Sequence, residues 1–171
     1  CVYHEGMLQT FATRPYIWGT YVWNMFEFAS DMRDEGMVQG RNNKGLVNFG
    51  RTIKKDAYYA YKAHWTTAPF VHICGRRFAD RCGDATSIKI YATGVNEVAL
   101  VLNSGEIARK QGEHIFVFEN VVLAMGANSV QAIGYQGGQK TAKETIALNR
   151  TEEPNPAYRM PEETGGSDSV A

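Results

Sequence analysis

The residues best suited to chemistry in this 171-residue chain gather around Trp23 and Asn24. They close the stretch Tyr16 to Trp23, which is aromatic, β-branched and interrupted by one glycine, Gly19. A flat ring beside an amide is what a sugar needs, since the ring face takes C–H groups and the amide holds hydroxyls. A large aromatic at such a place also serves simply as a packing cap. Acids follow at Glu27, Asp31, Asp34 and Glu35, and they read as loop hydrogen-bonders or partners of Arg33 and Arg41. His4, His64, His72 and His114 form no ligand-spaced cluster, and none of Cys1, Cys74 and Cys82 lies in a CxxC motif, so no metal site is expected. Cys74 and Cys82 either pair across a turn in an oxidising compartment or stay as thiols.

Elements must position these groups. The run up to Trp23 lacks alternation, the mark of a strand buried on both faces in a parallel sheet. Chemistry in such sheets sits at the carboxyl ends of the strands. Before it, Met7, Leu8 and Phe11 give residues 2–13 one helical face, and Arg14-Pro15 ends that helix. Residues 31–52 read as a long loop with Gly36, Gly40, Gly45 and Gly50, holding a short extended piece at 45–49. Asp56 opens a second helix to Trp65, with Tyr58, Tyr61 and Trp65 as a packing stripe.

At Ala68-Pro69 the period becomes two. Segments 70–74, 87–92, 97–102, 114–118, 129–135 and 141–148 read as strands separated by turn signals such as Asn103-Ser104-Gly105 and Gly137-Gly138. Short, evenly spaced strands predict an antiparallel sandwich of immunoglobulin type, without the Cys-Trp-Cys core of antibody domains. The proline- and glycine-bearing end, Arg150 to Ala171, reads as a linker or strap.

The stretches WGTYVWNMFEFASDMRDEG and RNNKGLVNFGRTIKKDAYYAYKAHW closely resemble the last strand, loop and helix of the catalytic barrel in glycoside hydrolase family 2, its β-galactosidases above all. The resemblance implies an α+β, multidomain fold class. Residues 1–67 would be the last β/α unit of a TIM (β/α)8 barrel, 68–149 an Ig-like β-sandwich, and 150–171 a linker to a further domain. It implies a fragment of a retaining glycosidase hydrolysing terminal β-galactosides. The nucleophile and acid/base would lie before Cys1, with no catalytic residue in this chain. Glu5 sits on a helix ahead of the eighth strand, hence at the wrong stage of the barrel for a nucleophile. Substrate-binding residues by this resemblance are Trp23, as a pocket wall, Asn24 beside it, and Asn42 with Lys44. The last two match an Asn-x-Lys-Gly pattern that in some glucuronidases holds the sugar carboxylate, though galactosidase-like members carry it too. The expected partners are a carbohydrate substrate and the remaining domains of the parent chain. No cofactor is expected, and a periplasmic or secreted setting is. The competing reading is a non-catalytic β-sandwich for carbohydrate binding or scaffolding, with a helical extension.

Charge and hydropathy narrow the classes further. Eighteen basic and eighteen acidic residues cancel, with no long run of one sign. That leaves no electrostatic footprint for nucleic acid or an anionic membrane. No apolar stretch approaches the length of a spanning helix. A start at Cys1, within a helix, is the expectation for a piece of a longer protein, and 171 residues hold one domain or a small domain and part of another.

Overall fold

The alternation from Phe70 onward builds two facing sheets in the computed structural model, which describes residues 1–35 and 38–158. One sheet has three strands in the order β3 (Phe70–Ile73), β5 (Thr86–Thr93), β8 (Ile115–Val121). The other has five: β4 (Asp80–Cys82), β10 (Gln139–Thr151), β9 (Gly126–Gln136), β6 (Glu97–Leu102) and β7 (Gly105–Gln111). All pairings are antiparallel except β4 with β10. The core between the sheets comes from alternate positions, among them Ile73, Ile88, Ile90, Leu100, Phe118 and Val130. Each such side chain contributes roughly 1.5–3 kcal/mol on burial. Asn103 and Ser104 take positive φ of 48° and 76° in the two-residue turn between β6 and β7, the geometry that matches strand twist.

All six expected strands are present, and the described structure is mostly β-sheet. Two strands of the sandwich went unread in the sequence. β7 carries Gly-Glu-Ile-Ala-Arg-Lys-Gln on an exposed sheet edge and buries little. β4 is three residues long and exists through its pairing with β10. After Thr151 the chain lies along β4: Asn155 Nδ2 donates to Asp80 Oδ2 at 2.6 Å, and the Phe78 and Tyr158 rings meet edge to face. The rest of the expected linker, from 159, lies outside the described residues.

The amino-terminal third departs from expectation. The helices are there as α1 (Val2–Ala12) and α2 (Asp56–Trp65). The strand at 16–23, however, does not form, so the barrel unit is not evident. A barrel strand is defined by hydrogen bonds to two parallel neighbours, and the described residues supply neither. Tyr16, Trp18 and Tyr21 are accordingly exposed, Trp18 at 95%. The expected loop at 31–52 instead begins with a hairpin, β1 (Phe28–Glu35) against β2 (Val38–Asn42). Its sequences, FASDMRDE and VQGRN, carry no regular apolar–polar alternation, so nothing announced it. The extended piece is real but small: Val47 bridges Phe26 in parallel and Lys54 antiparallel.

A second apolar cluster joins the helices to the sandwich. Leu8 of α1, Ala60, Tyr61 and Ala63 of α2 and Leu46 pack with Tyr91, which points outward from β5. Of the expected stripe, Tyr61 is buried, Tyr58 is half-buried and Trp65 is mostly exposed.

Candidate functional site

Phe26 leads from the Trp23-Asn24 pair into β1, and the returning chain after β2 packs beside it. Leu46 N–H donates to Asn24 O and Val47 N–H to Met25 O, both at 2.9 Å. Gly45 makes this approach possible. A Cβ there would sit 2.1 Å from Glu27 N and 2.3 Å from Phe26 C, so no side chain fits. Glu27, 7% exposed, fastens the same junction. Its carboxylate accepts from Phe49 N–H at 2.9 Å and faces Lys55 Nζ at 2.5 Å. Burial pushes its pKa up, but Lys55 and the Phe49 N–H more than reverse that and leave it below the usual carboxylate range. Glu27 is therefore a structural anion.

Around that junction lies a shallow concavity of about 490 Å³ lined by Trp23, Asn24, Met25, Phe26, Phe28 and Arg51. The Trp23 side chain stands 71% exposed, edge-on to Phe28. The peptide bond between Trp23 and Asn24 is cis. Asn24 Oδ1 is buried without a hydrogen-bond partner among the described residues, an unusual state for an amide oxygen. The floor is apolar and aromatic, the rim holds one amide and one guanidinium, and such a surface suits a saccharide ring.

The structure brings Trp23 and Asn24 together and leaves the other pair outside that lining. Asn42 is buried at the end of β2, and its Oδ1 accepts from Lys44 N–H at 3.0 Å, shaping the turn. Lys44 itself is exposed. Lys55 Nζ donates to Asn43 O at 2.6 Å and so ties this turn to the start of α2. Asp31 is exposed. The expected partnerships of Arg33, Asp34 and Glu35 lie outside the described side chains.

A second polar group, unread in the sequence, sits where the helices meet β3 and β5. Asp56 accepts from His72 Nε2 at 3.1 Å and from Gly75 N–H at 2.8 Å. Arg76 Nη2 reaches His72 Nδ1 at 2.9 Å and Glu144 Oε2 at 2.6 Å. Arginine only donates, so Nδ1 accepts and Nε2 carries the proton. Asp56, His72 and Cys74 offer ligand atoms within 4.8 Å of one another. The two stronger donors, however, are engaged with each other, and burial pushes the Cys74 thiol well above its usual range, with Asp56 adding to it. The arrangement works as an interlock. Nearby, Glu5 accepts from Lys89 Nζ at 2.8 Å and from Tyr91 Oη, which gives Glu5 a structural role. Apart from Arg76 and His72, four positions apart, these groups join positions 16 to 86 residues apart, so local spacing does not signal them.

No protein-family model matches the chain. Among known proteins it is 35% identical over 132 residues to the β-glucuronidase of Bacteroides fragilis, covering 75% of this chain and 19% of that protein. Among solved structures it is similar to an FMN-binding β-glucuronidase from Facaelibacterium prausnitzii L2-6, with TM-score 0.87 and 41% identity over 94% of this chain and 24% of that one. A putative β-galactosidase from Bacteroides fragilis follows with TM-score 0.78 and 36% identity, over 86% of this chain and 22% of that one. Along most of its length, the chain is thus a homologue of one portion of glycosidases named β-glucuronidase and β-galactosidase, and it spans about a fifth of their length.

Proposed function

We propose that this chain is the end of a (β/α)8 catalytic barrel, residues 1–67, with the β-sandwich that follows it, in a parent retaining glycosidase acting on β-glucuronides. Retaining hydrolysis needs two carboxyl groups about 5–5.5 Å apart, one as nucleophile and one as acid/base. Both would come from other barrel strands of the parent, and this chain would supply the edge that positions the sugar. The observation that carries the reading is the exposed Trp23 ring beside Asn24 at the start of a concavity with an aromatic floor. Trp23 would take the apolar face of the sugar and Asn24 a hydroxyl. Asn42 and Lys44 would stand at the mouth of the site. The glucuronide preference is supported by the names of two of the relatives above and by the cationic groups Lys44 and Arg51 near the site. A β-galactoside preference, our sequence expectation, is favoured by the third.

The test is a panel of aryl β-glucuronides and β-galactosides given to the full-length protein that carries this chain. We expect turnover of the glucuronide, and Trp23→Ala to lower kcat/KM by about tenfold or more through lost transition-state contacts. Unchanged kinetics in a folded Trp23→Ala protein would remove Trp23 from the site.

A further inference from the structure

We propose that His64 and His114 are the two protein ligands of a divalent transition-metal site that clips α2 to the sandwich. The site is independent of the glycosidase reading and shares no residue with the Trp23 concavity. The fold brings the two rings together from different elements: His64 stands in the last turn of α2, and His114 directly precedes β8. Their centroids lie 4.3 Å apart with the planes inclined by 34°. Both side chains are half-buried. His64 Nε2 and His114 Nδ1 are each closed off from solvent and lack a hydrogen-bond partner among the described residues. Adjacent imidazoles that both leave a buried nitrogen unpaired cost the fold stability. An ion that accepts both lone pairs removes that cost, and neutral imidazole is the commonest metal ligand.

The surroundings suit ligation. Burial, then the neighbouring His114 ring, lowers the His64 pKa, so His64 is neutral at pH 7, the form that binds a metal. The backbone holds His114 in place: its φ is 58°, and Ala92 N–H donates to its carbonyl at 2.9 Å. On the other side, Ala60, Tyr61 and Ala63 seat α2 against Tyr91. Zn–N bonds of about 2.0–2.1 Å put two ligating nitrogens within about 4 Å of each other. Rings at this separation reach that by turning about their side-chain bonds. The group at Asp56, His72 and Cys74 differs, because its aspartate and histidine are bonded to each other. Two imidazoles select Zn2+, Ni2+ or Cu2+ over Mg2+ and Ca2+, which take oxygen ligands, and water completes the shell.

The experiment adds Zn2+ or Cu2+ to this chain with Cys1→Ser and Cys82→Ser, which remove the two exposed thiols. Zn2+ at a hundredfold excess over its Kd should raise the melting midpoint by roughly 5 °C or more. One equivalent of Cu2+ should give an electron paramagnetic resonance spectrum with nitrogen couplings from two imidazoles. Both signals should vanish in His64→Ala and in His114→Ala. A midpoint that zinc does not move, or signals that survive either substitution, would overturn the site. Should an alanine variant fail to fold, imidazole resonances of the otherwise unchanged chain decide. Zinc should shift those of His64 and His114 together and leave those of His4 and His72 in place, and any other pattern overturns the proposal.

Discussion

Gly45 shows how one residue can hold a site together without touching a ligand. The chain after β2 crosses Phe26 and Glu27 so closely that even a methyl group would meet two backbone atoms inside 2.5 Å. Gly45→Ala should force the two segments apart and cost about 1–3 kcal/mol or more, as overpacking against fixed atoms does. A thermal melt of the isolated chain checks this, and an unchanged midpoint would mean the crossing is looser than described. In the sequence Gly45 looks like any loop glycine, because the atoms it meets lie 18 or 19 positions earlier. Trp23 and Asn24 are different. Their residue types announce sugar chemistry locally, and the structure sets them side by side on one concavity. Arg51 carries no local signal; only the fold puts it on the wall that Trp23 begins.

Among elements, the junction of α1 and α2 with the three-stranded sheet is where pH should act. Glu144 is half-buried, which raises its pKa, but the Arg76 guanidinium at 2.6 Å and the bond from the Ile73 N–H carry it down to about 2. A carboxylate whose folded pKa is depressed stabilises above its ordinary value of 4.5 and loses that contribution as pH falls from there toward about 2. Glu5 and Asp56 are shifted in the same direction. His64 acts in the same direction through a basic group. Burial, then the neighbouring His114 ring at 4.3 Å, lowers its pKa, so the fold disfavours its protonation as pH drops below 6.5. Melting temperature should therefore decline gently below about pH 6.5 and steeply below about 4.5. In Glu144→Gln the steep part should flatten while the neutral-pH value drops. A profile of unchanged slope in Glu144→Gln would remove it as a source of acid sensitivity. The strands at this junction are legible in the sequence because alternation is a local property of five to eight residues. The ion network is not, since it is assembled from α1, α2, β3, β5 and β10.

For the whole molecule, the described residues place one complete sandwich core beside an amino-terminal segment that lacks pairing partners. The apolar character expected of 16–23 is right and the strand is not, because strand formation needs neighbours that no described residue provides. Ring-bearing side chains at Tyr16, Trp18, Tyr21 and Trp23 stay in water. Contiguous exposed apolar surface of this kind drives association. The isolated chain should self-associate in sedimentation measurements at micromolar concentration and hydrolyse no fluorogenic β-glucuronide or β-galactoside. Turnover that survives repurification and is lost in Glu27→Gln would place the catalytic acid in this chain after all.

If the proposed sugar site is real, the short hydrogen bond from Lys55 to Asn43 would couple the sandwich to it. Lys55 precedes Asp56, Asp56 grips His72 in β3, and Lys55 itself holds both Glu27 and the carbonyl beside Lys44. A push on β3 thus reaches the turn at Asn42–Lys44 through side chains that bond each other or sit on adjacent residues. In the full-length protein, His72→Ala should raise KM for the preferred glycoside, though His72 touches no part of the concavity. Paired with Lys44→Ala it should give less than the sum of the two effects, because both changes disturb one turn. Strictly additive losses would mean that the sandwich and the turn act independently.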